Sequence, residues 1–244
     1  MNYKTSEYQW ATDDILEYSS QINTIAEIGS RDGLDAIFLS EIFQAKNNYI
    51  FEADPNLIEG INNNLKNLNY KANFEVFNIA LGNENKEVDF LSVDTEKYDN
   101  LGVGSLFEIN FHNREKSDPD LNRESVQKKV KVELKKYSNL NLENPDLIAM
   151  DVQGSELDVL KGFENLLKNV KFIILESSIS ENYIGGSNFL EIHKYLKNNF
   201  KLLKNSRYGK NNSKLHLDGY KYKLSGKKMY QSDFNVLYAN KTLV

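Results

Sequence analysis

The sequence contains no cysteine, which excludes disulfides, thiolate zinc sites and cysteine nucleophiles. No apolar run approaches the ~18–20 residues needed to span a membrane. Residues Met1 to Ile15 are polar and lack the apolar core of a secretion signal, so the cytoplasm is the expected compartment. Internal repeats and low-complexity linkers are also missing. One domain over residues 1–244 is therefore the economical expectation. The 40% hydrophobic and 27% charged content is that of a soluble globular chain.

Acids are nearly absent from one segment. Between Lys197 and Lys241 stand eleven basic residues and only two acids, Asp218 and Asp233. That segment carries a net +9, which leaves −14 on the rest of the chain. Two readings follow: a solvated lysine-rich face, or a surface that attracts a phosphorylated or otherwise anionic acceptor. No recognised nucleic-acid module accompanies the charge, so no stable nucleic-acid partner is expected.

What is present is most informative between Ile22 and Glu52. The apolar stretch Thr24 to Ile28 runs into Gly29-Ser30-Arg31-Asp32-Gly33, and a helical stretch, Leu34 to Phe43, follows. A second strand, Tyr49-Ile50-Phe51, ends on Glu52. Strand, glycine turn, helix, strand and terminal acid form the nucleotide-binding half of an open α/β sheet. The acid at the second strand end suits ribose hydroxyls. The turn lacks the second glycine of a dinucleotide fingerprint, and Glu27 would oppose a pyrophosphate. A carboxylate there suits the sulfonium and ammonium of S-adenosylmethionine instead.

Further elements alternate in the same manner. A short helix is expected within residues 1–21, at Asp13 to Ser20. Asp54-Pro55 opens a helix reaching about Leu68. Phe74 to Leu81 reads as a third strand, and Val88 to Val93 and Gln127 to Leu134 as alternating strands. Between them Asp94 to Ser125 is polar and irregular, long enough to act as a lid or acceptor-binding segment. Asp146 to Val152 and Val170 to Glu176 are core strands flanking a helix at Ser155 to Leu167, and Asn188 to Lys197 is another helix. Lys201 to Leu203 and Phe234 to Ala239 are closing strands, joined by an expected hairpin. This order predicts an α/β, Rossmann-like, mostly parallel seven-stranded sheet with an antiparallel last strand and helices on both faces. Gly29, Glu52, Asn78, Asp151 and Glu176 then share the edge where such sheets bind ligands.

The motifs Glu27-Ile28-Gly29-Ser30-Arg31-Asp32-Gly33, Phe51-Glu52-Ala53-Asp54-Pro55 and Asn78-Ile79-Ala80-Leu81-Gly82 occur in order. Gly104-Ser105-Leu106, Asp151-Val152-Gln153-Gly154-Ser155-Glu156 and Ile173-Ile174-Leu175-Glu176 follow them. Together they resemble the FkbM family of S-adenosylmethionine-dependent methyltransferases. The resemblance covers roughly Ile22 to Ser178. It implies S-adenosylmethionine as cofactor and O-methyl transfer to a hydroxyl of a sugar, glycan or natural-product acceptor. The implied cofactor residues are Glu27, Gly29, Ser30, Asp32, Gly33, Glu52, Ala53, Asn78, Ile79, Ala80 and Asp151. Gln153, Ser105 and Arg31 are the expected acceptor-side residues. Family members more often carry proline where Ala53 stands.

A hydroxyl acceptor must lose its proton. Asp151, Glu176 and, in the long loop, His112 are the candidates to receive it. The three histidines are scattered, and no tight His/carboxylate cluster argues for a metal. Asp151, Gln153 and Glu176 nevertheless offer oxygen ligands to a hard cation, so a metal is left open. The competing functions are a nucleotide-dependent oxidoreductase and a non-catalytic binding module on the same fold.

Overall fold

The strand before Gly29 is buried at every residue, as the apolar run of a central parallel strand requires. It belongs to a computed structural model that describes residues 6–19, 21–66, 68, 72–94, 101–114, 127–227 and 233–244. In chain order the first elements are α1 (Gln9–Tyr18), β1 (Thr24–Ile28), α2 (Leu34–Phe43), β2 (Asn47–Phe51), α3 (Ile58–Lys66) and β3 (Asn73–Phe77). Next come β4 (Ala80–Leu81), β5 (Lys86–Val93), α4 (Phe111–Arg114), β6 (Gln127–Lys135), β7 (Leu147–Met150) and α5 (Glu156–Gly162). The last are β8 (Phe172–Ser178), α6 (Phe189–Leu196), β9 (Phe200–Asn205), α7 (Asn212–Ser225) and β10 (Asp233–Asn240).

Seven strands form one sheet in the order β3-β2-β1-β7-β8-β10-β9. β10 runs antiparallel to both neighbours, and every other adjacent pair is parallel. This is the predicted α/β sheet with its antiparallel last strand. Alternate side chains enter two cores. Ile28, Ile148, Met150, Ile173 and Leu175 pack with α5 and α6 on one face. Ile25, Leu147, Ala149, Phe172 and Ile174 pack with α1 and α2 on the other.

Three expectations require correction. The stretch Phe74 to Leu81 is not one strand: β3 ends at Phe77, and Ala80–Leu81 joins a second sheet of order β4-β6-β5. The helix expected over Ser155 to Leu167 is α5 followed by a 3-10 turn, Glu164–Asn169. The expected hairpin is replaced by α7, although β9 and β10 do pair antiparallel. Gly219 sits inside α7, where a Cβ would stand 3.0 Å from Leu190 Cγ of α6. Glycine is the residue that lets those two helices approach without crowding Leu190.

Of the expected lid, residues 95–100 and 115–125 lie outside the described residues, as do Lys228 and Tyr230 of the basic segment. The described middle of the lid is anchored. Ser105 bridges to Leu91 and Ile109 to Tyr183, and Val103 and Ile109 are buried. No helix among the described residues is long and apolar enough to cross a membrane.

Candidate cofactor and active site

Sheet register assembles the site. Ile28 pairs with Phe51 and Met150, Phe51 pairs with Phe77, and Met150 pairs with Leu175. The next residues, Gly29, Glu52, Asn78 and Asp151, therefore leave the sheet at one level, and Glu176, still within β8, stands beside them. A cleft of about 830 Å³ opens there. Glu27, Gly29, Ser30, Arg31, Glu52, Ala53, Ile79, Ala80, Asp151 and Gln153 line it. Gly29 has φ +81°, and a Cβ on it would stand 1.9 Å from the Asp151 carbonyl oxygen. Its bare backbone lets the β1 turn touch the end of β7.

The carboxyls of the cleft are buried and arranged. Ser30 Oγ donates to Glu27 Oε2 at 2.5 Å and accepts the Gly33 N–H at 3.0 Å. Burial, with Asp35 beside it, holds Glu27 well above the ordinary carboxyl range. Glu52 accepts the Arg31 N–H at 2.8 Å and the Asp54 N–H at 2.7 Å. Burial pushes its carboxyl up to about 7. An ionised carboxyl has four lone-pair positions, so Glu52 keeps room for a ligand hydroxyl beside these backbone donors.

A second arrangement lies at the ends of β7 and β8. Gln153 occupies a left-handed backbone position, φ +52°. Its Nε2 donates to Asp151 Oδ1 at 2.5 Å and to Glu176 Oε2 at 2.9 Å. Its Oε1 accepts the Tyr183 hydroxyl at 2.5 Å, which turns the amide nitrogen towards the two acids. Burial pushes Asp151 up to about 6. Burial and then the charge of Asp151 push Glu176 well above its usual value. Gln153 also lines a smaller cavity of about 270 Å³ together with Glu176, Ser177, Asn182, Tyr183 and Asp233. Glu156 borders that cavity and accepts the Gly154 N–H at 3.0 Å, and burial pushes its carboxyl up to about 7.

Other predicted residues take different places. Asp32 and Gly33 shape the start of α2, and Asp32 Oδ1 accepts the Leu34 N–H. Asn78 clamps the β2 loop through the carbonyls of Glu52 and Ala53. Neither these three nor Ser105 lines the cleft. Ser105 donates to the Gln153 carbonyl at 2.7 Å and so supports Gln153 from behind. His112 is exposed on α4 and borders neither cavity. No described residue of 197–232 lines either cavity, and Arg31 is the only cation among the described residues that does. The described residues contain no group of three or more His, Asp or Glu placed to hold a metal.

Sequence reasoning missed Glu7, Tyr8, Asp35, Leu57 and Phe90, which line the same cleft. Ser6 Oγ and the Glu7 N–H both donate to Asp35, and Arg31 lies 3.7 Å from Glu7. These contacts fold the N-terminal segment over the cleft. No local pattern announces them, because they arise only when α1 packs beside α2.

A profile of the Methyltransferase FkbM domain matches residues 27–205. The 2-O-methyltransferase NoeI of Sinorhizobium fredii is 29% identical over 167 residues, covering 66% of this chain and 65% of that protein. The chain thus spans just under two thirds of that relative. The crystal structure of methyltransferase FkbM from Methylobacillus flagellatus superposes with a TM-score of 0.51 at 14% identity, covering 97% of this chain and 49% of that one. The ribosomal protein L11 methylase of Lactobacillus delbrueckii subsp. bulgaricus gives 0.50 at 12% identity, covering 96% and 79%. These likenesses establish the fold. The cleft also fits the family's cofactor, S-adenosylmethionine. Its buried carboxyls, held back from ionising, would be favoured in ionised form by a ligand bearing a sulfonium and an ammonium. Ser155 Oγ, buried at the cleft without a partner among the described residues, can hydrogen-bond a ligand. Profile, sheet order and cleft agree, and the chain belongs to the FkbM family of S-adenosylmethionine-dependent methyltransferases.

Proposed function

We propose that this protein O-methylates a hydroxyl of a sugar, glycan or natural-product acceptor, with residues 1–244 acting as one domain. S-adenosylmethionine supplies a methyl group on a cationic leaving group. Glu27 and Glu52 would hold its charged and hydroxyl-bearing parts, and Arg31 would offer a positive charge at the same cleft. The remaining task of the protein is to align the acceptor and receive its proton.

Gln153 carries this reading, because it borders both cavities and ties Asp151 to Glu176. Burial and the charge of Asp151 raise Glu176 well above its ordinary value, while Asp151 is raised to about 6, so Asp151 is the member of the pair we assign as proton acceptor. The Ser177, Ser178, Tyr183 and Ser187 side chains, the amides of Gln153 and Asn182 and the carboxyls of Glu156, Glu176 and Asp233 line the smaller cavity, and no cation among the described residues does. That lining supports an uncharged, hydroxyl-bearing acceptor and gives an anionic one no support. The name of NoeI, a 2-O-methyltransferase, supports oxygen as the accepting atom. Gly102, Gly104 and Leu106 of the expected lid line the cofactor cleft, in keeping with an acceptor-facing role for that segment.

The test is an acceptor screen at saturating S-adenosylmethionine, read by mass spectrometry as the gain of one methyl group. Neutral glycosides are expected to react. Asp151→Asn is expected to lower turnover by about 10²-fold or more. Turnover at the parent rate removes Asp151 as the proton acceptor, and reaction with phosphorylated acceptors alone removes the neutral-acceptor reading.

A further inference from the structure

α7 presents an outer face that the methyl-transfer reading leaves unused. Leu217, Tyr220 and Leu224 follow one another at spacings of three and four residues and so share one side of the helix. They are 52%, 54% and 87% exposed. Three large apolar side chains in a row are an exposed patch of the kind that marks an interaction site. Lys214, Lys221, Lys223 and Lys227 are exposed around them. None of the four forms an ion pair with a described residue. The one acid of the helix, Asp218, points inward and accepts the Tyr208 hydroxyl at 2.6 Å. The inner side, Leu215 and Gly219, is packed against the body of the protein. The outer face is therefore apolar along its centre and cationic at its margins, with no carboxylate of the helix on it.

We propose that the outer face of α7 is a docking surface for an anionic lipid bilayer. This inference is independent of the acceptor chemistry. A helix docked on a membrane interface puts its outward apolar residues, here Leu217, Tyr220 and Leu224, among the acyl chains and its flanking lysines at the headgroups. Long lysine side chains reach outward from such a helix, which keeps their charge in water while the leucines enter. Charge decides between occupants. A second copy placing the same face against this one would bring two sets of lysines together, whereas anionic headgroups meet them with opposite charge.

Co-sedimentation of the full chain with vesicles tests the proposal. Binding is expected to vesicles of equal parts phosphatidylcholine and phosphatidylglycerol, and to be at least about tenfold weaker to phosphatidylcholine alone. Salt should release it, since exposed charges are screened over ~8 Å at physiological ionic strength. The Leu217→Ser/Leu224→Ser variant should bind at least about tenfold more weakly. Replacing Lys214, Lys221, Lys223 and Lys227 with Gln should abolish the preference for the anionic vesicles. All six positions are exposed, so both variants are expected to melt as the parent does and to bind S-adenosylmethionine unchanged. Absence of parent binding, or full binding by the leucine variant, overturns the proposal. A parent dimer in sedimentation velocity that the leucine variant converts to monomer, without vesicle binding, overturns it in favour of a second copy.

Discussion

At Gly29 the turn after β1 lies against the carbonyl of Asp151, and that contact alone dictates the residue. Alanine there would adopt a left-handed backbone and put its Cβ 1.9 Å from the carbonyl oxygen. The strained backbone by itself costs about 1–3 kcal/mol. Gly29→Ala is therefore expected to lower the stability measured by urea unfolding by at least that amount, and an unchanged midpoint would refute the close approach. A glycine read only as clearance for a ligand would predict lost binding in a fully stable protein. Glu52 makes a different case. Its two oxygens already hold the N–H groups of Arg31 and Asp54, so it shapes the cleft and faces the ligand at once. Glu52→Ala should weaken S-adenosylmethionine binding by ~1.5–3 kcal/mol, the range for a hydrogen bond to a charged group. Calorimetry measures this directly, and affinity equal to the parent's would remove Glu52 from the cofactor site.

Among the elements, α6 has the most complete local instruction. Asn188 accepts the N–H groups of Leu190 and Glu191, and Glu191 reaches back to the Asn188 N–H. Asn188→Ala breaks this reciprocal cap and is expected to cost ~0.5–2 kcal/mol in denaturant unfolding. A loss below the error of that measurement would mean the cap contributes nothing. Elements with such signals are legible in the residues alone: buried β1, β7 and β8, and the amphipathic α3 and α6. The edge residues Glu52, Asp151 and Glu176 are legible for the same reason, since each follows or ends an apolar run. α7 is not legible, because Lys, Tyr and His interrupt its apolar spacing and Gly219 reads as a breaker. Only its packing against Leu190 explains that glycine. The second sheet is hidden because β4 has two residues and its pairing with β6 is non-local. The link from Tyr183 to Gln153 crosses 30 positions, and no local pattern encodes it.

Taken as a whole, the molecule concentrates buried acids around one cleft, and this makes its stability depend on pH in an unusual direction. Burial raises Glu52 and Glu156 to about 7 and Asp151 to about 6, and holds Glu27 and Glu176 well above their ordinary values. A carboxyl whose folded value lies above its unfolded value binds more protons in the folded state. Its stabilising effect is complete below the unfolded value, near 4, and is lost as pH rises through the folded value. Two histidines oppose this trend. Burial lowers His193 to about 4 and also lowers His216, so their unfolded forms take up protons first and destabilise the fold as pH falls below about 6.5. Five carboxyls outweigh two imidazoles. The ligand-free protein should therefore melt at a lower temperature at about pH 8 than at about pH 5.5, by at least the ~2–4 °C that one kcal/mol represents in a domain of this size. S-adenosylmethionine should reduce that fall, because its positive charges favour the ionised carboxyls of the cleft. Thermal melts across this range, with and without the cofactor, measure both effects. A ligand-free melting temperature that rises steadily with pH would mean that the cleft acids are ionised in the free protein and that burial does not restrain them.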